Sequence, residues 1–182
     1  MSQSATGPTP DNLNEHADAC CTDATTIRCL RASDDTAVGR LHGHVFGPGR
    51  FARAAFRIRE RAGISAATSF VAETAPGLLV GAVLMAPVHI GEACGFWLGP
   101  IAVMPEAQAQ GVGRSLMVAA LDAAAVHNAQ FVGLVGDPPF YQPFGFAPAN
   151  VRLPGPAEPG RILFAWLGDR PPIAGALEPG EA

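Results

Sequence analysis

Residues 103–116 read Val-Met-Pro-Glu-Ala-Gln-Ala-Gln-Gly-Val-Gly-Arg-Ser-Leu, joining an apolar run of strand length, Phe96 to Val103, to a long alanine-rich run. A strand, a glycine turn and a helix in direct succession commit this region to a helix laid on a sheet, and the alanines suit close packing there. Gly111 and Gly113 have no Cβ, so the backbone can take unusual angles and a ligand can come close. The first N–H groups of the helix have no intrahelical partner, and the positive end of the helix dipole lies behind them. The turn is therefore suited to an anion, above all a phosphate.

Three glycine motifs compete for it. A P-loop needs a lysine after its last glycine, but all 12 basic residues are arginine and the chain has no lysine. A dinucleotide fingerprint, G-x-G-x-x-G, needs glycine at Leu116 for close helix packing; Asp137 supplies a later acidic residue at roughly the right distance. The third pattern, Q-x-x-G-x-G, is filled in order by Gln108, Gly111 and Gly113. An ordinary strand-turn-helix junction is the bland alternative to all three.

The flanks decide among them. Leu98-Gly99-Pro100-Ile101 interrupts the preceding strand, and a strand glycine followed by proline predicts a bulge or edge there. Downstream, Phe131 to Val135 reads as the next strand, and Tyr141, the only tyrosine, stands four residues before Gly145-Phe146. On these three features, covering about Ile27 to Leu167, the chain resembles the GNAT superfamily of acyl-CoA N-acetyltransferases. The resemblance implies a bulged strand that splays from its neighbour, leaving a cleft where the acyl-CoA arm pairs with the backbone of Ile101, Ala102 and Val103. It places the pyrophosphate of acetyl-CoA on Gln108, Gln110, Gly111, Val112, Gly113, Arg114 and Ser115. Tyr141 is then the group that donates a proton to the departing thiolate, and a backbone N–H freed by the bulge, that of Ile101, faces the thioester oxygen. The expected reaction is acetyl transfer to a primary amine by direct attack in a ternary complex. A catalytically silent acyl-CoA-binding domain on the same scaffold is the rival, and NAD(H) binding is the remote third reading. No base is identifiable: Glu92 is a weak candidate, with His89 also just before the interrupted strand and Glu73 at the end of an earlier one.

Composition bounds the remaining classes. With 182 residues, 48% hydrophobic and 15% charged, the chain can bury one substantial core but is short for two. A formal charge of -4 argues against general nucleic-acid binding. Arg50, Arg53, Arg57, Arg59 and Arg61, partly offset by Glu60, form a basic group that reads as a solvated helix face or as a patch for an acidic substrate or the 3′-phosphate of coenzyme A. No targeting or membrane segment is visible, so no membrane partner is expected and a cytoplasmic location is the default. Cys20, Cys21, Cys29 and Cys94 lack C-x-x-C spacing and read as free thiols; His42 and His44 lack companion ligands, so no metal is expected. The partner is a small-molecule or peptide amine, and exposed strands near the C-terminus leave room for a homodimer.

The order of elements follows from periodicity. Residues 1–24 are polar and aperiodic, which predicts a disordered arm. A first strand, Ile27 to Leu30, leads to a helix capped by Ser33-Asp34-Asp35 and stopped by Phe46-Gly47-Pro48-Gly49. A second helix, about Arg50 to Arg61, places Phe51, Ala54, Ala55 and Ile58 on one face. Strands at Thr68 to Glu73 and Leu78 to Val88, the interrupted strand, the turn, a helix from Gly111 to Asn128, a strand at Phe131, the Tyr141 segment and a strand near Phe146 make the series β-α-α-β-β-β-α-β-α-β, with Arg161 to Leu167 as a seventh strand. This is an α/β (α+β) chain with a GNAT-like mixed, mostly antiparallel sheet of about six to seven strands flanked by helices, its transferase domain spanning 25–168 and a loose tail 169–182.

Overall fold

The computed structural model describes residues 25–48, 54–155, 157–168 and 172–180. The N-terminal arm with Cys20 and Cys21, and Gly49, Arg50, Phe51 and Arg53, lie outside the described residues. Strand β1 (Thr26–Cys29) leads through a 3-10 turn, Ala32–Asp34, into α1 (Asp35–Phe46). Val38 and Leu41 carry α1 into the core, and Gly47 ends it at a φ of 61°. The expected cap is not made. Asp34 accepts the Arg31 N–H at 2.8 Å and two bonds from the Arg28 guanidinium at 2.7 and 2.9 Å, because a charge-assisted pair outbids a neutral helical N–H.

Helix α2 (Ala54–Ala62) buries Ile58 and Ala62. Arg57 and Arg61 are solvated as expected, but Arg59 is half-buried beside the Phe56 ring, 5.0 Å from its centroid, with Nη1 enclosed and without a hydrogen-bond partner.

Strands β2 (Phe70–Ala75), β3 (Leu78–Ile90) and β4 (Ala93–Val103) form an antiparallel meander, the first pair turning at Pro76-Gly77. After the glycine turn come α3 (Val112–Val126), β5 (Phe131–Val135), the single turn α4 (Pro138–Tyr141) and β6 (Ala147–Pro148). The chain ends its described course with β7 (Val151–Arg152), β8 (Ile162–Trp166), β9 (Gly175–Ala176) and β10 (Glu178–Pro179). Eight strands share one sheet in the order β1-β2-β3-β4-β5-β8-β6, with β10 also on β3; only β4 and β5 pair in parallel. β7 and β9 make a separate parallel pair. No helix among the described residues is long and apolar enough to cross a membrane.

The sheet is covered on both faces. α3 lays Val112, Leu116, Ala120 and Ala124, one residue every four, on the face that presents Val83, Met85 and Leu98. Its approach is close: a Cβ at Gly81 of β3 would lie 2.9 Å from Leu116 Cδ1. α1 packs on Ala82, Leu84 and Ala102 of the other face, and α2 on Ala86, Val88 and Trp97 of it. Residues at odd separation in a strand point to opposite faces, yet Trp97 and Ala102 share one face and Leu98 and Ile101 share the other. The register explains it: Met85 pairs with Leu98 but Val83 with Ile101, so β4 holds one extra residue at Gly99-Pro100. That is the bulge the Gly-Pro pair predicts.

The loose tail is corrected. β10 pairs with Val88 and His89, the edge of β3 left open where β2 begins at Phe70, and Leu177 is buried between α2 and the sheet. An unpaired edge next to apolar surface is what this segment covers.

Candidate functional site

β4 and β5 pair only at Phe96 with Val132 and Trp97 with Gly133. Beyond the bulge the strands part, so residues 98–103 have β3 on one side and a gap on the other. Met104 N–H bonds Val80 O of β3 at 2.8 Å. Backbone groups alternate sides along a strand, which turns the N–H groups of Ile101 and Val103 toward the gap. One end of this gap opens into a cavity of about 440 Å³ lined by Ile101, Val103, Ala107, Gln108, Ala109, Gly111, Val112, Gly113, Arg114 and Phe140.

The turn is braced from within. Gln108 Nε2 donates to Val103 O at 3.1 Å, and Gln110 Nε2 donates to Glu106 O at 2.9 Å. Both amides hold backbone carbonyls in place, so the turn keeps its shape without a ligand. Ala109 sits at a φ of 61° and Gly111 at 82°; the left-handed position costs an alanine roughly 1 kcal/mol and glycine almost nothing. The first α3 bond runs from Ser115 N–H to Gly111 O at 2.9 Å. The N–H groups of Val112, Gly113 and Arg114 precede it and face the cavity end of the helix.

Phe140 lines the cavity, and Tyr141 lies beside it. Its ring is buried against Phe140, centroids 4.8 Å apart, and Phe146, 5.8 Å apart, both edge-on. Burial first, then the nearby Asp137 carboxylate, push the phenol pKa up to about 12, with Arg161 opposing. The hydroxyl therefore stays protonated throughout the neutral range.

Of the residues singled out by sequence, the cavity wall takes in Ile101, Val103, Gln108, Gly111, Val112, Gly113 and Arg114. Ala102 points to the opposite face and packs with α1, Gln110 turns back to Glu106, and Ser115 is exposed on α3 with its N–H already bonded. Tyr141 stands behind Phe140. Glu92 is exposed in the turn between β3 and β4, at the other end of β4 from the cavity. Nine residues at about 3.3 Å each put it roughly 30 Å from Ile101, which removes it as a base. His89 shares that end, its Nδ1 3.2 Å from Gly91 O. Glu73 is held by the Arg28 guanidinium at 2.9 Å and by Gly77 N–H. Ala107, Ala109 and Phe140 were missed by the sequence reading; a second aromatic directly before the lone tyrosine was the available signal for Phe140. Among the described residues no group of His, Cys, Asp or Glu is placed to hold a metal ion, and Cys29 and Cys94 are free thiols.

Residues 65–148, from the approach to β2 through β6, match the family model described as acetyltransferase (GNAT) domain. By that model this segment, somewhat less than half of the chain, is a GNAT domain. Its fold is similar to that of a GNAT family N-acetyltransferase (YhbS) from Escherichia coli solved in complex with CoA, at 24% identity and a TM-score of 0.73 over 86% of this chain and 89% of that one. A Brucella melitensis GNAT acetyltransferase in complex with acetyl-CoA aligns at 24% identity and 0.63 over 85% and 94%. A Staphylococcus aureus GNAT acetyltransferase aligns at 15% and 0.58 over 80% and 100%. No curated protein matches the chain. The matched segment contains the bulge, the glycine turn, the parted strands and Tyr141, so the cavity lies wholly within the family region.

Proposed function

We propose that this chain transfers an acetyl group from acetyl-CoA to a primary amine by direct attack in a ternary complex. The observation that carries the reading is the cavity where the unpaired half of β4, the N-terminus of α3 and Phe140 meet, with Tyr141 beside Phe140. Two of the solved structures with this fold hold CoA or acetyl-CoA. The pyrophosphate seats on the N–H groups of Val112, Gly113 and Arg114, with the α3 dipole behind it. The pantetheine arm lies along the parted edge of β4 and pairs with the backbone of Ile101 and Val103.

As the amine nitrogen attacks the thioester carbon, a C–N bond forms and negative charge gathers on the oxygen, where the Ile101 N–H stabilises it. The C–S bond then breaks, and Tyr141 passes its proton to the thiolate. The ammonium proton leaves through water, since Glu92 is remote and Glu73 is paired with Arg28. The working domain runs from residue 25 to residue 180, β10 included.

Thiol release from acetyl-CoA, followed against a panel of polyamines, amino acids, aminoglycosides and peptides, tests the reading. Turnover on one amine class is the expected result. Binding of acetyl-CoA by calorimetry without turnover on any amine would assign the chain to a silent acyl-CoA-binding domain, and absence of binding would overturn both.

A further inference from the structure

Gly136 follows β5 directly, is buried, and donates its N–H to Arg161 O at 3.0 Å. A Cβ built on it would lie 2.1 Å from Cε2, 2.8 Å from Cδ2 and 3.0 Å from Cζ of Tyr141. These are ring carbons, so no rotation about the end of a flexible chain relieves the overlap. The ring has little freedom elsewhere, being flanked edge-on by Phe140 and Phe146. The backbone of Gly136 is likewise fixed, by its bond to the segment that enters β8. Its backbone angle is not left-handed, so turn geometry does not account for glycine at this position.

We propose that Gly136 is a positioning residue for Tyr141: the missing side chain is the shelf on which the phenol ring lies, and it sets how far the hydroxyl reaches toward the cleft. This rests on the reading of Tyr141 as proton donor. Any side chain at 136 lifts the ring off the end of β5 and moves the hydroxyl away from a leaving thiolate while leaving the glycine turn, on another segment, untouched. The predicted signature is a fall in kcat with acetyl-CoA affinity retained.

Four variants test it: Gly136→Ala, Tyr141→Phe, Tyr141→Ala and Gly136→Ala/Tyr141→Ala. If the ring rests on Gly136, Gly136→Ala lowers Tm by several degrees with Tyr at 141, and the loss disappears when residue 141 is Ala; an equal loss in both backgrounds overturns the shelf. In thiol-release assays Gly136→Ala lowers kcat at least tenfold with an unchanged acetyl-CoA Kd by calorimetry. A folded Gly136→Ala protein with wild-type kcat overturns the positioning role. If the single variant does not fold, folding of the double variant supports the shelf, and its failure to fold overturns it. Should Tyr141→Phe keep full kcat, the proton-donor reading fails, whereas the Tm comparison still decides where the ring rests.

Discussion

At the scale of single residues, two side chains carry opposite electrostatic signatures. Tyr141 has its pKa raised by burial, so its neutral form is the stable one in the fold; that stabilisation is complete below about pH 10 and is lost as pH rises toward 12. Acetyl transfer should therefore show no alkaline fall assignable to the phenol below about pH 10. Tyr141→Phe is expected to lower kcat by about 10²- to 10⁴-fold with little change in acetyl-CoA affinity, read by steady-state kinetics beside calorimetry; an unchanged kcat under rate-limiting chemistry would remove Tyr141 from the mechanism. Asp34 behaves in the reverse sense. The Arg28 hydrogen bonds hold its carboxyl below the usual range, so the stability it contributes is present above about pH 4 and is lost as pH falls through its lower folded value. Arg28→Ala leaves Asp34 buried without its cation and should cost about 2 kcal/mol or more at pH 7 in urea unfolding. The gap from wild type should narrow at pH 3; a gap independent of pH would show that the pair does not act through charge.

At the scale of elements, the glycine turn separates stability from binding. A Cβ at Gly113 would meet Val103 Cγ2 at 3.6 Å and Phe140 Cζ at 3.8 Å, both ordinary contacts and both on the cavity wall. Gly113→Ala should fold with an unchanged or slightly raised Tm, since alanine is the better helix former. Its methyl nevertheless occupies ligand space, so acetyl-CoA affinity should fall about tenfold or more by calorimetry; equal affinity would place the ligand elsewhere. This turn was legible in the sequence because glycine spacing and the helical run are local signals, and so was the bulge, written in Gly99-Pro100. Gln110 stands apart: it fits the loop in sequence, but its amide donates to Glu106 O. Asp34 misled for a related reason, because its partner Arg28 belongs to the preceding strand and outweighs the local cap.

At the scale of the whole molecule, the segment least legible in sequence is β10. Its two residues are too few to show alternation, and one of them is proline; what makes them a strand is the vacant edge of β3, almost a hundred residues earlier. Leu177 is buried with Ile58, Trp97 and Phe164, so Leu177→Ala should lower stability by about 2–5 kcal/mol, measured by chemical denaturation. A loss under about 0.5 kcal/mol would return the tail to the periphery. Glu92 failed at this scale too. A meander sends the two ends of β4 in opposite directions, and nearness in sequence to a long strand says little about nearness to its far end.

The extra residue in β4 gives that strand two phases. Up to Leu98 odd positions face α2; from Ile101 on, even positions face α1, and the change happens within Gly99-Pro100. Loss of a single residue there would bring Leu98 and Ile101 to ordinary two-residue spacing, so each would keep its face by plain alternation, and only the bulge would go. The extra residue thus decides where β4 bends and not which face its side chains take, so a deletion would straighten the strand beside the cleft while leaving the core contacts of both halves in phase.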